Sequence, residues 1–314
     1  MRKELATLPI LLSLLAASAC SAEAQDPNNP QIVVRTYAST PPGSVNTHWV
    51  ETPSGVIVID AQRVTSEARN AVREIQRSGK PVLAILVTHP HPDHFGGLGT
   101  FVEAFGGDVP IFASQRTIET IRSDERGFIR LTKQHYGEDF EANVTLPNRV
   151  VADGQELVFG GLTFKATELG EGEAPAMTVY TVSGAGLMFP GDIVDNARTP
   201  FLLEGRSEAW LAQLDRLSRE FSDVTIIYPG HGSAGGHNLI DDQARYLAWL
   251  RQRVRLRLTN RRSVTPDERR AVIREIEARY PGYPSVAAID DLIGLNVDAV
   301  AEELNRATPT EQPR

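Results

Sequence analysis

Val82-Leu83-Ala84-Ile85-Leu86-Val87-Thr88-His89-Pro90-His91-Pro92-Asp93-His94-Phe95-Gly96-Gly97 is the stretch on which the fold turns. Its first six residues form a continuous apolar run, the pattern of a short strand buried on both faces. Pro90 and Pro92 lack an N–H donor and fix their own φ, so the chain must leave the sheet where the polar residues begin. Extended backbone turns alternate residues the same way, which lets His89, His91 and Asp93 converge beyond the strand. The turn that follows swings His94 toward the same pocket, and Gly96 and Gly97 permit a close entry into the next helix. Of the chain's seven histidines, three lie between positions 89 and 94. Imidazoles and a carboxylate at this density suit zinc or a neighbouring first-row metal.

Outward from this stretch the pattern alternates. Upstream, residues 32–37 and 56–60 read as strands, the second set off by the turn Pro53-Ser54-Gly55. Residues 66–78 read as an amphipathic helix capped by Ser66, with Ala68, Ala71, Val72 and Ile75 on one face. Downstream, 98–105 and 114–122 read as helices. A second series follows, with strands at 157–159, 162–165, 178–182, 187–189 and 224–228 and a helix at 207–220. From 239 the chain turns helical, over 239–258, 265–280 and 288–305, and ends in a polar tail. Strands and helices interleaved in two series predict a layered α/β arrangement, with two sheets packed together, helices outside, and a C-terminal helical extension.

Charge and leader narrow the function classes. The 314 residues carry 32 Lys and Arg against 40 Asp and Glu, a net charge of -8, which argues against a nucleic-acid partner and for a small-molecule one. Arg251, Arg253, Arg255 and Arg257 are the local exception and read as a solvated helix face. Arg2 and Lys3 precede an apolar stretch, 8–19, too short to span a bilayer, which predicts an export signal over residues 1–24. Two endings stay open. Cleavage at Ala22-Glu23-Ala24 would release a periplasmic or secreted protein beginning at Gln25. Alternatively, Ala17-Ser18-Ala19-Cys20 resembles a degenerate lipobox, and a lipid on Cys20 would then be the chain's only tie to a membrane. Cys20 is the sole cysteine, so a metal site in the mature chain must be built from His, Asp and Glu.

His-x-His-x-Asp-His after a buried strand and before Gly-Gly resembles the signature of the metallo-β-lactamase superfamily. Three further motifs stand in that family's order. Residues 45–50 with Gly55-Val56-Ile57-Val58-Ile59-Asp60 resemble its opening strands. Pro190-Gly191-Asp192 resembles its bridging-aspartate motif, and Tyr228-Pro229-Gly230-His231-Gly232 its final histidine motif. The resemblance covers about residues 32 to 236. It implies a four-layer αββα sandwich of two mixed sheets, residues 237–314 forming the extension, and a dinuclear site in the crevice at the sheet edges. His89 and His91 would hold the first metal, Asp93, His94 and His231 the second, and Asp192 would bridge them.

One position departs from the family's pattern. Where the family normally supplies a third histidine to the first metal, this chain reads Leu169-Gly170-Glu171-Gly172-Glu173-Ala174-Pro175. Glu173 falls nearest the expected place if one residue is gapped, Gly172 if none is, and Glu171 is the other carboxylate available. A carboxylate is harder than imidazole and would bias that site from zinc toward iron or manganese.

These readings predict an exported hydrolase with two zinc ions, in which a metal-bound hydroxide, oriented by Asp93, cleaves an ester, lactone or β-lactam-like cyclic amide. The alternatives are an iron-dependent oxidoreductase of the sulfur dioxygenase type and a binding protein whose catalysis ended with the third histidine. Asp60 is a candidate support for the ligands and His237 a candidate substrate contact; His48, Trp49, His135 and Tyr136 are weaker ones. Three roles stay open for the C-terminal helices, which could pack on the sandwich, form a dimer face or cover the crevice; the closeness of the helix over 239–258 to His231 motivates the covering role.

Overall fold

The computed structural model describes residues 24–25, 32–258, 261 and 263–307; residues 1–23, which carry the lipobox reading and all of the export signal but Ala24, lie outside them. Among the described residues, the strands β1 (Ala24–Gln25), β2 (Val33–Ala38), β3 (Asn46–Glu51), β4 (Val56–Ile59), β5 (Val82–Leu86), β6 (Ile111–Ala113) and β7 (Arg149–Val150) form one sheet in that order. It is antiparallel as far as β4 and parallel from there on. The strands β8 (Glu156–Phe159), β9 (Leu162–Gly170), β10 (Met177–Val182), β11 (Leu187–Gly191) and β12 (Ile226–Pro229) form the second sheet, antiparallel except for the parallel pair β11–β12.

The alternation along the central strands shows why these sheets are layered. In β5, Ala84 and Leu86 point into a core shared with Phe164, Tyr180 and Phe189 of the second sheet. Ile85, and Val87 just beyond it, point the other way, onto α1 (Thr65–Gln76), α3 (Leu98–Phe105) and α4 (Gln115–Ser123). On the far side, Val179, Met188 and Ile227 pack against Trp210 of α6 (Ser207–Glu220) and against α7 (Asn238–Leu258), α8 (Pro266–Arg279) and α9 (Leu292–Ala307). Each sheet is thus buried on both faces, which gives the helix–sheet–sheet–helix sandwich of two mixed sheets.

Several local expectations are corrected. Ser66 does not cap α1, which begins one residue earlier; its N–H and hydroxyl instead donate to the Asp139 carboxylate at 2.8 and 2.6 Å. The helix over 239–258 does not cover the crevice: Leu247, Leu250 and Val254 place it on the back of the second sheet. Arg251 is buried rather than solvated, because Glu303 of α9 and the hydroxyl of Ser207 accept from its guanidinium at 2.8 and 2.6 Å. The helix α5 (Phe128–Tyr136), which was not among the expected elements, has no fully buried residue and meets the core through Ile129.

Candidate metal centre

The parallel strands deliver the site. His89 lies just beyond β5, Asp192 just beyond β11 and His231 just beyond β12, so all three emerge at C-terminal strand ends, where α/β sheets open their crevices. Pro92 then starts one helical turn, α2 (Pro92–Phe95), with His91 extended ahead of it. Asp93 is therefore placed by that turn and not, as the alternation suggested, by a continuing extended chain. The loop between β9 and β10 supplies Glu173, whose N–H meets Gln213 Oε1 at 3.4 Å. Gly172 beside it leaves room for the Gln213 amide, whose oxygen a Cβ there would approach to 2.1 Å. Gly230 likewise leaves room for Asp192 Oδ1, which a Cβ would approach to 1.8 Å.

All seven predicted ligand residues come together, buried, in two sets that share Asp192. One is His89, His91, Glu173 and Asp192; the other is Asp93, His94, Asp192 and His231, with the donor atoms of each set within 4.8 Å of one another. Glu171 is elsewhere, exposed and 3.3 Å from Arg206.

Every histidine turns one ring nitrogen inward and anchors the other outside. His89 Nε2 lies 3.7 Å from Glu173 Oε2 and 3.8 Å from Asp192 Oδ2, while Nδ1 meets Thr88 Oγ1 at 2.9 Å. His91 Nδ1 is 3.2 Å from Glu173 Oε1, and its Nε2 faces Glu204 Oε1 at 3.4 Å. His94 Nε2 is 3.1 Å from Asp192 Oδ1, with Nδ1 on Asp60 Oδ2 at 2.8 Å. His231 Nε2 is 3.1 Å from Asp192 Oδ2, and its Nδ1 bonds the Ser44 carbonyl. Outer acceptors of this kind fix the tautomer that leaves the inward nitrogen a free lone pair. Asp60 also accepts from the Thr88 N–H and hydroxyl, both at 2.9 Å, so it braces two of the histidines at once.

The donor set fits a cation. His89 Nε2, His94 Nε2, both Glu173 oxygens and Asp192 Oδ1 are buried without an aligned hydrogen bond. Each such group costs roughly 1–3 kcal/mol unless something ligates it. A tetrahedral ion with bonds of about 2.1 Å holds its donors about 3.4 Å apart, close to the spacings above.

Charge within the cluster is arranged for the same end. Burial holds His89 well below its usual range, helped by His94, so its imidazole is neutral. Burial opposes charge on His91 and His94 too, but Glu173 outweighs it at the first and Asp192 at the second, holding both well above the usual range. Against the same burial, Asp192 pushes His231 up to about 10. Burial also pushes Glu173 up to about 7. Metal-free protein near neutrality thus carries protons that a metal must displace. The apparent metal affinity is expected to rise more than tenfold per pH unit between about pH 6 and 8. A pH-independent affinity in chelator competition would show these imidazoles already neutral.

Several neighbours were not legible in the sequence. Arg63 donates to Asp93 Oδ2 at 2.8 Å and to the Val286 carbonyl at 3.2 Å, and holds the Asp93 carboxyl well below its usual range despite burial. Glu204, itself paired with Arg206 at 2.7 Å, backs His91. Both come from loops without a local signal, and only the tertiary fold aims them. Glu204→Gln is expected to weaken metal binding by roughly 10- to 100-fold, measured by chelator competition; an unchanged affinity would mean that Glu204 does not support His91.

The remaining candidates part ways. His48 bonds Thr36 Oγ1 and the Pro229 carbonyl at 2.8 and 2.9 Å, and burial pushes it down to about 4, so it braces β12 as a neutral group. Trp49 is a core residue. His135 and Tyr136 line the cavity that opens over the cluster. His237 is in neither the ligand sets nor that cavity; it sits at the start of α7, its carbonyl accepting from Ile240 N–H.

The model of the metallo-beta-lactamase superfamily matches residues 40–231, a span that includes every one of these ligands, and the chain belongs to that superfamily. It is 24% identical over 200 residues to metallo-beta-lactamase IND-1 of Chryseobacterium indologenes, covering 62% of this chain and 75% of the relative. It is 23% identical to a linear primary-alkylsulfatase of a Pseudomonas strain, covering 70% of this chain but only 48% of the relative. A solved beta-lactamase domain protein from Burkholderia ambifaria shares the fold at a TM-score of 0.66 and 17% identity, over 93% of this chain and 89% of that one.

Proposed function

We propose that this chain is a dinuclear metal-dependent hydrolase of esters, lactones or cyclic amides. The observation that carries the reading is the pair of buried donor sets sharing Asp192, beneath a cavity lined by His91, Asp93 and Asp192. Zinc suits a set dominated by imidazole, with harder iron or manganese the competitor where Glu173 replaces one. Such ions, when bound, supply Lewis acidity and bring the ionisation of water toward neutral pH.

The chain's own groups do the rest. Asp93, held ionised by Arg63, accepts a hydrogen bond from the attacking water and orients it toward the cavity. Arg63 fixes that carboxylate and ties it to Tyr136 at 3.3 Å, so the floor and one wall move together. Among the described residues lining the cavity there is no Ser or Cys to act as nucleophile. Export, by either leader ending, belongs to the same proposal, and the spread of relatives over β-lactamase and alkylsulfatase names leaves the scissile bond to experiment.

The test is metal analysis beside a panel of nitrophenyl esters, lactones and β-lactams. About two zinc ions per chain and chelator-sensitive hydrolysis are expected. One iron with oxygen consumption would replace the reading by an oxidoreductase, and no metal with no turnover by a binding protein.

A further inference from the structure

The cavity over the cluster is lined mostly by apolar side chains. It encloses about 370 Å³, the share of about a dozen water molecules. Its floor is the ligand cluster, and one wall is α5. Helices normally hide their apolar side against a core. Here Phe128 and Leu131 of α5 line the cavity instead, and Leu131 is 53% exposed. Phe201 and Leu203 continue the lining, and residues 286–289, between α8 and α9, close the opposite side with Val286, Ala287, Ala288 and Ile289.

This second wall is built, not incidental. The Val286 N–H donates to Thr199 O at 3.2 Å and the Thr199 N–H to Pro284 O at 2.9 Å. Asn296 of α9 clamps the neighbouring segment through Pro200 O at 2.8 Å and Leu202 N–H at 3.0 Å. The C-terminal extension therefore reaches the site through this loop, where α7 does not. Arg63 is the only Arg or Lys among the described lining residues. Its guanidinium is already engaged by Asp93, Gly43, Val286 and Tyr136. The cavity's remaining lining beyond the cluster is mostly apolar, with Thr132, His135 and Tyr136 as the polar side chains.

We infer that α5 and residues 286–289 form a binding subsite for the apolar chain of an ester or lactone. The inference rests on the hydrolase reading for its ester or lactone, while the chain subsite itself can be measured without turnover. Each methylene buried there strengthens binding by about three- to fourfold until the cavity is full.

The experiment is calorimetric titration of the metal-loaded full chain with linear alkyl hydroxamates from acetyl to decanoyl. The parent chain is compared with Ala288→Trp and Leu131→Glu, which change opposite walls independently. Affinity rising about three- to fourfold per methylene in the parent, and losing that dependence in either folded variant, is the expected result. Affinity independent of chain length, or a dependence that survives both changes, overturns it. Hydrolysis of nitrophenyl esters is scored separately. Length-dependent binding without turnover of any ester, lactone or β-lactam of the panel removes the hydrolase reading and leaves the chain subsite standing; turnover with flat binding does the reverse.

Discussion

Asp192→Asn is expected to empty both metal positions and lower kcat/KM by about a thousandfold or more, the equivalent of about 4 kcal/mol of barrier. Asp192 belongs to both donor sets. Its Oδ1 faces His94 Nε2 at 3.1 Å, and its Oδ2 faces His231 Nε2 at 3.1 Å and His89 Nε2 at 3.8 Å. Burial alone would raise its pKa, but His231 and His94 hold it well below the carboxylate range, so the site is organised around its charge. Asparagine keeps the shape, removes the charge and turns one oxygen into a donor that repels a cation. Metal content by mass spectrometry and kcat/KM on a turned-over ester check this together. Retention of both ions in a folded variant would show that Asp192 is not shared.

Glu173→Ala is expected to halve the metal content, from about two ions to about one, and to lower activity about a hundredfold or more. Glu173→His is expected to restore both ions, because the position then offers the softer donor. A second readout separates ligand from scaffold. Burial pushes Glu173 up to about 7 from an ordinary 4.5, so in metal-free protein its ionisation works against folding. That penalty is complete above the folded value, shrinks as pH falls, and is gone below about 4.5. Glu173→Gln, which also removes the partner of His91, should therefore favour the metal-free fold more at pH 8 than at pH 4. Thermal unfolding at the two pH values measures it, and equal effects at both would remove the burial argument.

The first ligands were legible because a metal site of this kind is written locally. A buried strand, the two prolines that end it and the dense histidines beyond it survive as one-dimensional pattern, whereas Asp192 and His231 were legible only through the resemblance of their motifs to the family's. Glu173 was legible only by resemblance and one gap, since nothing local distinguishes it from Glu171. The loop decides between them: Gly172 and Gln213 turn Glu173 inward, while Glu171 stays outside with Arg206.

By itself the sequence determined the layered α/β class and the strand that carries the site with its dense histidines, because strand periodicity and local residue density are short-range properties. Only the tertiary structure decided what surrounds those donors. Arg63 reaches Asp93 across 30 positions, and Glu204 reaches His91 across 113. The same holds for the cavity, one wall of which is α5, a helix with no fully buried residue, and another a loop near the far end of the chain. A side chain's partners across such separations are set by how the sheets and helices stack, and burial then makes each of those contacts strong.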